Sequence, residues 1–162
     1  MSLPISRSLK ADTSGLTRRG LLAAGAGTVF VSAFPFPAGA APEDMKAAIR
    51  KAFGKGELRD GRVSINTPPI AENGYSVPIT VRVESPMSEG DHVREIGLFS
   101  PRNPVAHIAH YYLGPRAGRA EIATRIRMAG TQDVMAVAKM NDGTLWSAAR
   151  ETVVTLAACV VL

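Results

Sequence analysis

Beyond residue 61 this chain is written almost entirely in period two. RVSINTP, SVPITVRVES, VREIGLFS, VAHIAHYYL, AEIATRIRM, DVMAVAKM, TLWSAAR and ETVVTL are short runs rich in Val, Ile, Thr and aromatic residues. The turn clusters ENG, SPMSEGD, SPRNP, GPRAG, AGTQ and NDG separate them. In an extended chain successive side chains point to opposite faces, so such runs build half-buried strands. Many short strands with no helical run between them predict an all-β antiparallel sandwich. Asn141-Asp142-Gly143 is a hairpin signal, because Gly143 accepts a positive φ. Pro78 lies inside a strand run, where its missing N–H demands an edge position or a bulge. Ahead of the strands, Met45, Ala48, Ile49, Ala52 and Phe53 recur at helical spacing. Pro42, Glu43 and Asp44 suit a first turn and Gly54 a stop, so a short amphipathic helix is expected over about 43–54.

The first forty residues belong to a different kind of segment. Paired Arg18 and Arg19 precede an uncharged stretch rich in Ala, Gly, Val and Phe, and Ala38-Gly39-Ala40 is a small-residue cleavage pattern. A charged region, an apolar region and an A-x-A site make a secretory signal. The adjacent arginines and the Gly/Ala-rich apolar region resemble the twin-arginine class, whose machinery carries folded proteins. The alternative is an uncleaved anchor from Gly20 to Ala41. Two prolines and four glycines make that run a poor spanning helix. Cleavage after Ala40 into a bacterial periplasm is expected, with no stable membrane association afterwards.

Removing the leader changes the charge. The full chain has 19 basic and 14 acidic residues, net +5. Arg7, Lys10, Arg18, Arg19 and Asp12 lie in the leader, which leaves 15 basic against 13 acidic. No basic cluster remains that would argue for nucleic acid. Residues 41–156 are enough for one domain with its own core. The single cysteine, Cys159, cannot form an internal disulfide.

Catalytic motifs are missing. No G-x-S-x-G, H-E-x-x-H, Walker loop or C-x-x-C occurs. His92, His107 and His110 are the histidines. On a regular strand the spacing of His107 and His110 sends them to opposite faces, so surface or satisfied core histidines are expected rather than a metal site. Arg125 and Arg127 share a strand face, with Arg82 on another strand. They form either a paired cation able to hold an anion bidentately or a solvated rim. Arg119 and Glu121 are candidate cross-strand charge partners. Met140 and Trp146, flanking the NDG turn, are core or interface residues. No metal and no cofactor is indicated.

Cys159 leaves two readings open. ETVVTLAACVVL has no polar break after Thr155, so the thiol could sit in a last buried strand. A thiol close to a chain end could instead be exposed, and in an oxidising compartment a lone thiol forms mixed disulfides, persulfides or links to other chains. That would suit a tether holding a substrate while other proteins act on it.

PPIAENGYSVPITVRVESPM, TRIRMAGTQDVMAVAKMNDGTLWSAARETVVTL and the cysteine close to the end resemble the SoxY family, the sulfur-carrier subunits of the bacterial Sox thiosulfate-oxidising system. The likeness runs from about Met45 to Leu156. It implies an immunoglobulin-like sandwich over 41–156 that pairs with a SoxZ-like subunit lacking a signal peptide, the two being exported together as a heterodimer. It implies a cysteine-bearing tail over 157–162, with Cys159 as the attachment residue. SoxAX, a haem protein, would join thiosulfate to the thiol, SoxB would hydrolyse off sulfate, and a sulfur dehydrogenase would oxidise the sulfane sulfur left behind. The carrier catalyses no step and needs no cofactor of its own. The family ends in Gly-Gly-Cys-Gly-Gly, whereas Ala157, Ala158, Val160 and Val161 flank Cys159 here. The β-branched valines are stiffer and bulkier than glycine. Two alternatives stand beside the carrier: a non-carrier structural or binding subunit of a Sox-type complex with a buried cysteine, and an unrelated periplasmic immunoglobulin-like adaptor.

Overall fold

A computed structural model describes residues 42–158. The leader with Arg18 and Arg19, and Cys159 with the three residues after it, lie outside the described residues. Helix α1 spans Pro42–Phe53. Nine strands follow: β1 Leu58–Asp60, β2 Val63–Asn66, β3 Ile70–Ala71, β4 Val77–Val83, β5 Val93–Phe99, β6 His107–Tyr112, β7 Ala120–Ile126, β8 Gln132–Met140 and β9 Leu145–Val154. They form a six-stranded sheet ordered β1-β9-β8-β5-β6, with β3 also on β9, and a three-stranded sheet ordered β2-β4-β7. The chain is an all-β sandwich with one short helix, and the alternating runs become its strands.

The pleat explains the packing. In β4, Val77, Ile79, Val81 and Val83 are buried while Pro78 and Arg82 face solvent. They meet Ile96 and Leu98 of β5 and Val134, Ala136, Ala138 and Met140 of β8 in the core between the sheets. The larger sheet is buried on its other face too. There Ile49 and Phe53 of α1 pack on Phe99, Val137 and Leu145. This second layer is why β5 is continuously buried and apolar from Ile96 to Phe99, and why Gly97 lies under the helix. A Cβ at Gly97 would stand 2.8 Å from the Phe53 ring.

Several expectations are met in altered form. TLWSAAR and ETVVTL make one continuous strand, β9. The sandwich is not wholly antiparallel, since β1 and β3 both run parallel to β9. These two strands were not predicted, being three and two residues long. Pro78 pairs with Arg125 of β7 in unbroken register, and the β2 ladder stops at Thr80. The ring therefore stands where β4 has a partner on one side only. The hairpin forms as expected, with Gly143 at φ +86° and Met140 N–H donating to Thr144 O at 2.9 Å. Asp142 accepts from both the Thr144 hydroxyl and the Thr144 N–H, which holds its carboxyl below its ordinary pKa. Met140 is buried, and Trp146 is half-buried beneath the Arg59 and Arg62 guanidiniums. Glu121 pairs with Arg82 across β4 and β7 at 2.9 Å, and not with Arg119. The pleat dictates this, because Arg82 and Glu121 are direct register partners.

Candidate functional site

β9 ends at Val154, and the segment after it is carried across the end of the sandwich by backbone hydrogen bonds. Thr155 N–H donates to Ala71 O at 3.1 Å, and the Thr155 hydroxyl donates to Glu72 O at 2.8 Å. Leu156 O accepts from Gly74 N–H at 2.8 Å. Ala158 N–H donates to Met128 O at 3.0 Å, and Met128 N–H donates to Gly74 O at 2.9 Å. The ENG turn and the end of β7 thus clamp the chain up to the residue before Cys159. Gly74 is needed for the close approach. A Cβ there would fall 2.5 Å from Met128 O and 3.0 Å from both Ala158 N and Leu156 O.

A buried polar cluster holds the Met128 side of the clamp. Asn103, 7% exposed, donates from Nδ2 to Arg127 O at 2.8 Å. Its Oδ1 accepts from Ala129 N–H at 2.9 Å and from Gln132 Nε2 at 3.0 Å. Ser100 Oγ and Arg102 N–H both donate to Gln132 Oε1. Thr131 Oγ1 accepts from Val154 N–H at 3.0 Å, tying the same turn to the end of β9. Buried polar groups persist when every partner is supplied, and here the partners join the SPRNP loop, the AGTQ turn and β9. Sequence reading takes these clusters as turns only, and Met128 as the last residue of the strand run AEIATRIRM. Gly74, Asn103, Met128 and Gln132 therefore escape it, since neither turn composition nor period reports which turn residues are buried.

The arginines are divided. Arg125 Nη1 donates to Ser76 O at 3.1 Å and Arg102 Nη1 to Thr131 O at 2.8 Å. Arg127 lies past the end of β7 and is exposed. Arg125 is already occupied, and Arg82 is engaged with Glu121, so no free arginine pair is brought together.

The histidines depart furthest from expectation. His107 and His110 do not point to opposite faces; their rings meet edge to face with centroids 5.4 Å apart. The cause is a bulge. Leu98 pairs with Ala109 and Phe99 with His107, so Ile108 is the extra residue and turns His107 back to the His110 side. His107 stacks on Phe99 at 4.7 Å, and His110 lies between Phe53 at 5.1 Å and Tyr112 at 4.8 Å. His110 Nε2 is 3.0 Å from Glu95, which Lys139 also approaches at 3.5 Å. His107 Nε2 is buried without a partner among the described residues. Burial, then the adjacent His110, lower its pKa below the ordinary 6.5. These histidines floor an open groove of about 800 Å³ between α1 and β6, with Asp44, Lys51, Val105 and Tyr112 on its walls. No group of three or more His, Cys, Asp or Glu residues suited to a metal exists among the described residues. No helix among them is long and apolar enough to cross a membrane.

Comparison with known proteins places this architecture. The family described as Sulfur oxidation protein SoxY matches residues 49–159, so the match reaches Cys159. Among solved structures, the sulfur carrier protein SoxY from Chlorobium limicola f thiosulfatophilum is similar at 32% identity and TM-score 0.60, covering 70% of this chain and 98% of that one. A superoxide reductase (neelaredoxin) from Ignicoccus hospitalis shares the fold at 20% identity and TM-score 0.51, covering 71% of this chain and 94% of that one. A search of curated proteins finds no match. The family match over most of the domain and the likeness in sequence and fold to a solved relative together show that this chain belongs to the SoxY family of sulfur oxidation proteins.

Proposed function

We propose that this chain is a sulfur carrier whose Cys159 holds thiosulfate-derived sulfur covalently while partner enzymes oxidise it. The observation that carries the reading is the clamp at Gly74 and Met128, which holds the chain at the end of the sandwich up to Ala158, one residue before the thiol. Further support comes from β9, which ends at Val154, so a buried last strand does not continue toward the cysteine. The family match also ends on Cys159.

The chemistry is balanced by the partners. The Cys159 thiolate joins the outer sulfur of thiosulfate to form a Cys–S–S–sulfonate, and two electrons pass to the haem protein SoxAX. Water then cleaves the bond to the sulfonate sulfur in SoxB, releasing sulfate and two protons and leaving a persulfide. A sulfur dehydrogenase oxidises that sulfane sulfur. This chain supplies the thiol and its placement and catalyses no step. The leader through Ala40, with Arg18 and Arg19, exports the folded chain to the periplasm by the twin-arginine route, paired with a SoxZ-like subunit. The tail proper is 157–162.

Intact mass after exposure to thiosulfate and SoxAX tests the proposal. An adduct is expected on the wild-type chain and none on Cys159→Ser, whose fold and pairing are unchanged. A wild-type mass that stays unmodified, with a thiol silent to alkylation in the native state, overturns it.

A further inference from the structure

The end of the sandwich that carries Ala158 is where uncompensated positive charge collects. The carboxylate–cation pairs among the described residues lie elsewhere. They are Glu43 with Lys46, Asp91 with Arg62, Glu121 with Arg82, and Glu95 with His110 and Lys139. The segments of the clamp bring three arginines, Arg102 of the SPRNP loop and Arg125 and Arg127 at the end of β7, all exposed. Arg102 donates to Thr131 O, and Arg125 to the Ser76 carbonyl and hydroxyl oxygens. Those acceptors are uncharged, so both guanidiniums keep their full charge. The Arg127 guanidinium has no partner among the described residues. Glu72 is the one acidic residue of the ENG turn, and the crossing chain from Thr155 to Ala158 has none.

The backbone sets Arg127 apart from the other two. Arg127 O and Ala129 N–H both bond to Asn103, while Met128 N–H and Met128 O turn the other way, to Gly74 and Ala158. That alternation marks an extended segment, in which neighbouring side chains face opposite sides. Met128 is fully buried, so Arg127 projects to solvent beside the crossing chain. Met128 O accepts from Ala158 N–H at 3.0 Å. Arg127 precedes that acceptor and Cys159 follows that donor, each by a single Cα step of about 3.8 Å. Asn103 Nδ2, bonded to Arg127 O at 2.8 Å, fixes the arginine's main chain and leaves its donors unspent.

We infer that Arg127 receives the negatively charged oxygens of the sulfur species on Cys159, so that this chain selects sulfonate-bearing sulfur compounds as its cargo. The inference rests on the carrier reading above and adds a specificity residue to it. A guanidinium presents a planar fork of donors that matches two oxygens of one sulfonate, and it stays charged at every working pH. Arg102 and Arg125 add attraction for an incoming dianion without giving up their own partners. Once the sulfonate is hydrolysed away, the persulfide left on Cys159 has no oxygen for the fork to hold. Arg127 therefore engages the loaded chain and lets go of the processed one.

Competition between two alkylating reagents of nearly equal size tests this without any partner enzyme. Iodoacetate is an anion and iodoacetamide is neutral, and Cys159 is the only thiol in the chain. The ratio of their rates cancels changes in thiol exposure and ionisation. Arg127→Gln should lower the iodoacetate-to-iodoacetamide ratio about fivefold, the weight of one charge pair about 4 Å apart in water. Arg127→Lys should keep the ratio near wild type, since the charge remains. Arg119→Gln, an exposed arginine before the opposite end of β7, should leave it unchanged. An unaltered ratio in Arg127→Gln overturns the inference and leaves the carrier reading to the thiosulfate adduct. Equal slowing of both reagents also overturns it, because Arg127 would then act on the thiol and not on the anion. A thiol silent to both reagents removes the carrier reading and this assignment with it.

Discussion

Gly74→Ala isolates the clamp from the core. The φ of Gly74 is outside the left-handed region, so alanine meets no conformational penalty there and the effect is steric. Its Cβ would fall 2.5 Å from Met128 O, and backbone atoms cannot swing aside as side chains do. Relief requires the ENG turn, the end of β7 and the crossing chain to separate. That strains the Met128 N–H to Gly74 O bond between the turn and the end of β7, and breaks the two bonds that hold the crossing chain, Gly74 N–H to Leu156 O and Ala158 N–H to Met128 O. At about 1 kcal/mol each, the local cost is about 2 kcal/mol, or about thirty-fold in the equilibrium for releasing the chain. The Thr155 anchors to Ala71 and Glu72 are untouched. Release therefore runs back only to Thr155 and adds about 10 Å of extended chain to the reach of the thiol. Amide exchange at Ala158 should speed up about thirty-fold, with the global unfolding midpoint lowered by only a few degrees. Native-state alkylation of Cys159 should not slow. Unchanged protection at Ala158, or collapse of the whole fold, would refute the clamp as described.

Asn103→Ala strips partners from Arg127 O, Ala129 N–H and Gln132 Nε2 in a buried site, and should cost about 3 kcal/mol in denaturant unfolding. It should also raise exchange at Ala158, which a merely cavity-forming loss elsewhere would not do. Gly97→Ala puts a Cβ 2.7 Å from the Phe99 ring and 2.8 Å from Phe53, so it should destabilise by about 1–3 kcal/mol and loosen α1 first, seen as lost amide protection in the helix. His107 keeps a lowered pKa in the fold, so as pH falls the unfolded chain takes up that proton first. Its contribution is complete above 6.5 and lost as pH drops below it; His107→Gln should flatten that part of the stability–pH curve.

The sequence alone determined the architecture and pointed to the candidate site. Period two needs no partner information, because each residue's face follows from its parity once the chain is extended; the strands followed from it, the NDG hairpin from its turn residues and the helix from apolar residues at helical spacing. Residue motifs such as IAENG and TQDVMAVAKMNDG pointed to the family, and the one cysteine stood out by being alone. Parity fails wherever the ladder slips. The bulge at Ile108 depends on how β5 and β6 register, which no local pattern records, and it alone placed His107 beside His110. The short parallel strands β1 and β3 exist only because β9 offers its edge to both. Gly74, Asn103 and Met128 became a clamp only when turns 24 and more residues apart were folded together at one end of the sandwich. Local sequence sets which way a side chain faces, whereas long-range packing sets what it meets.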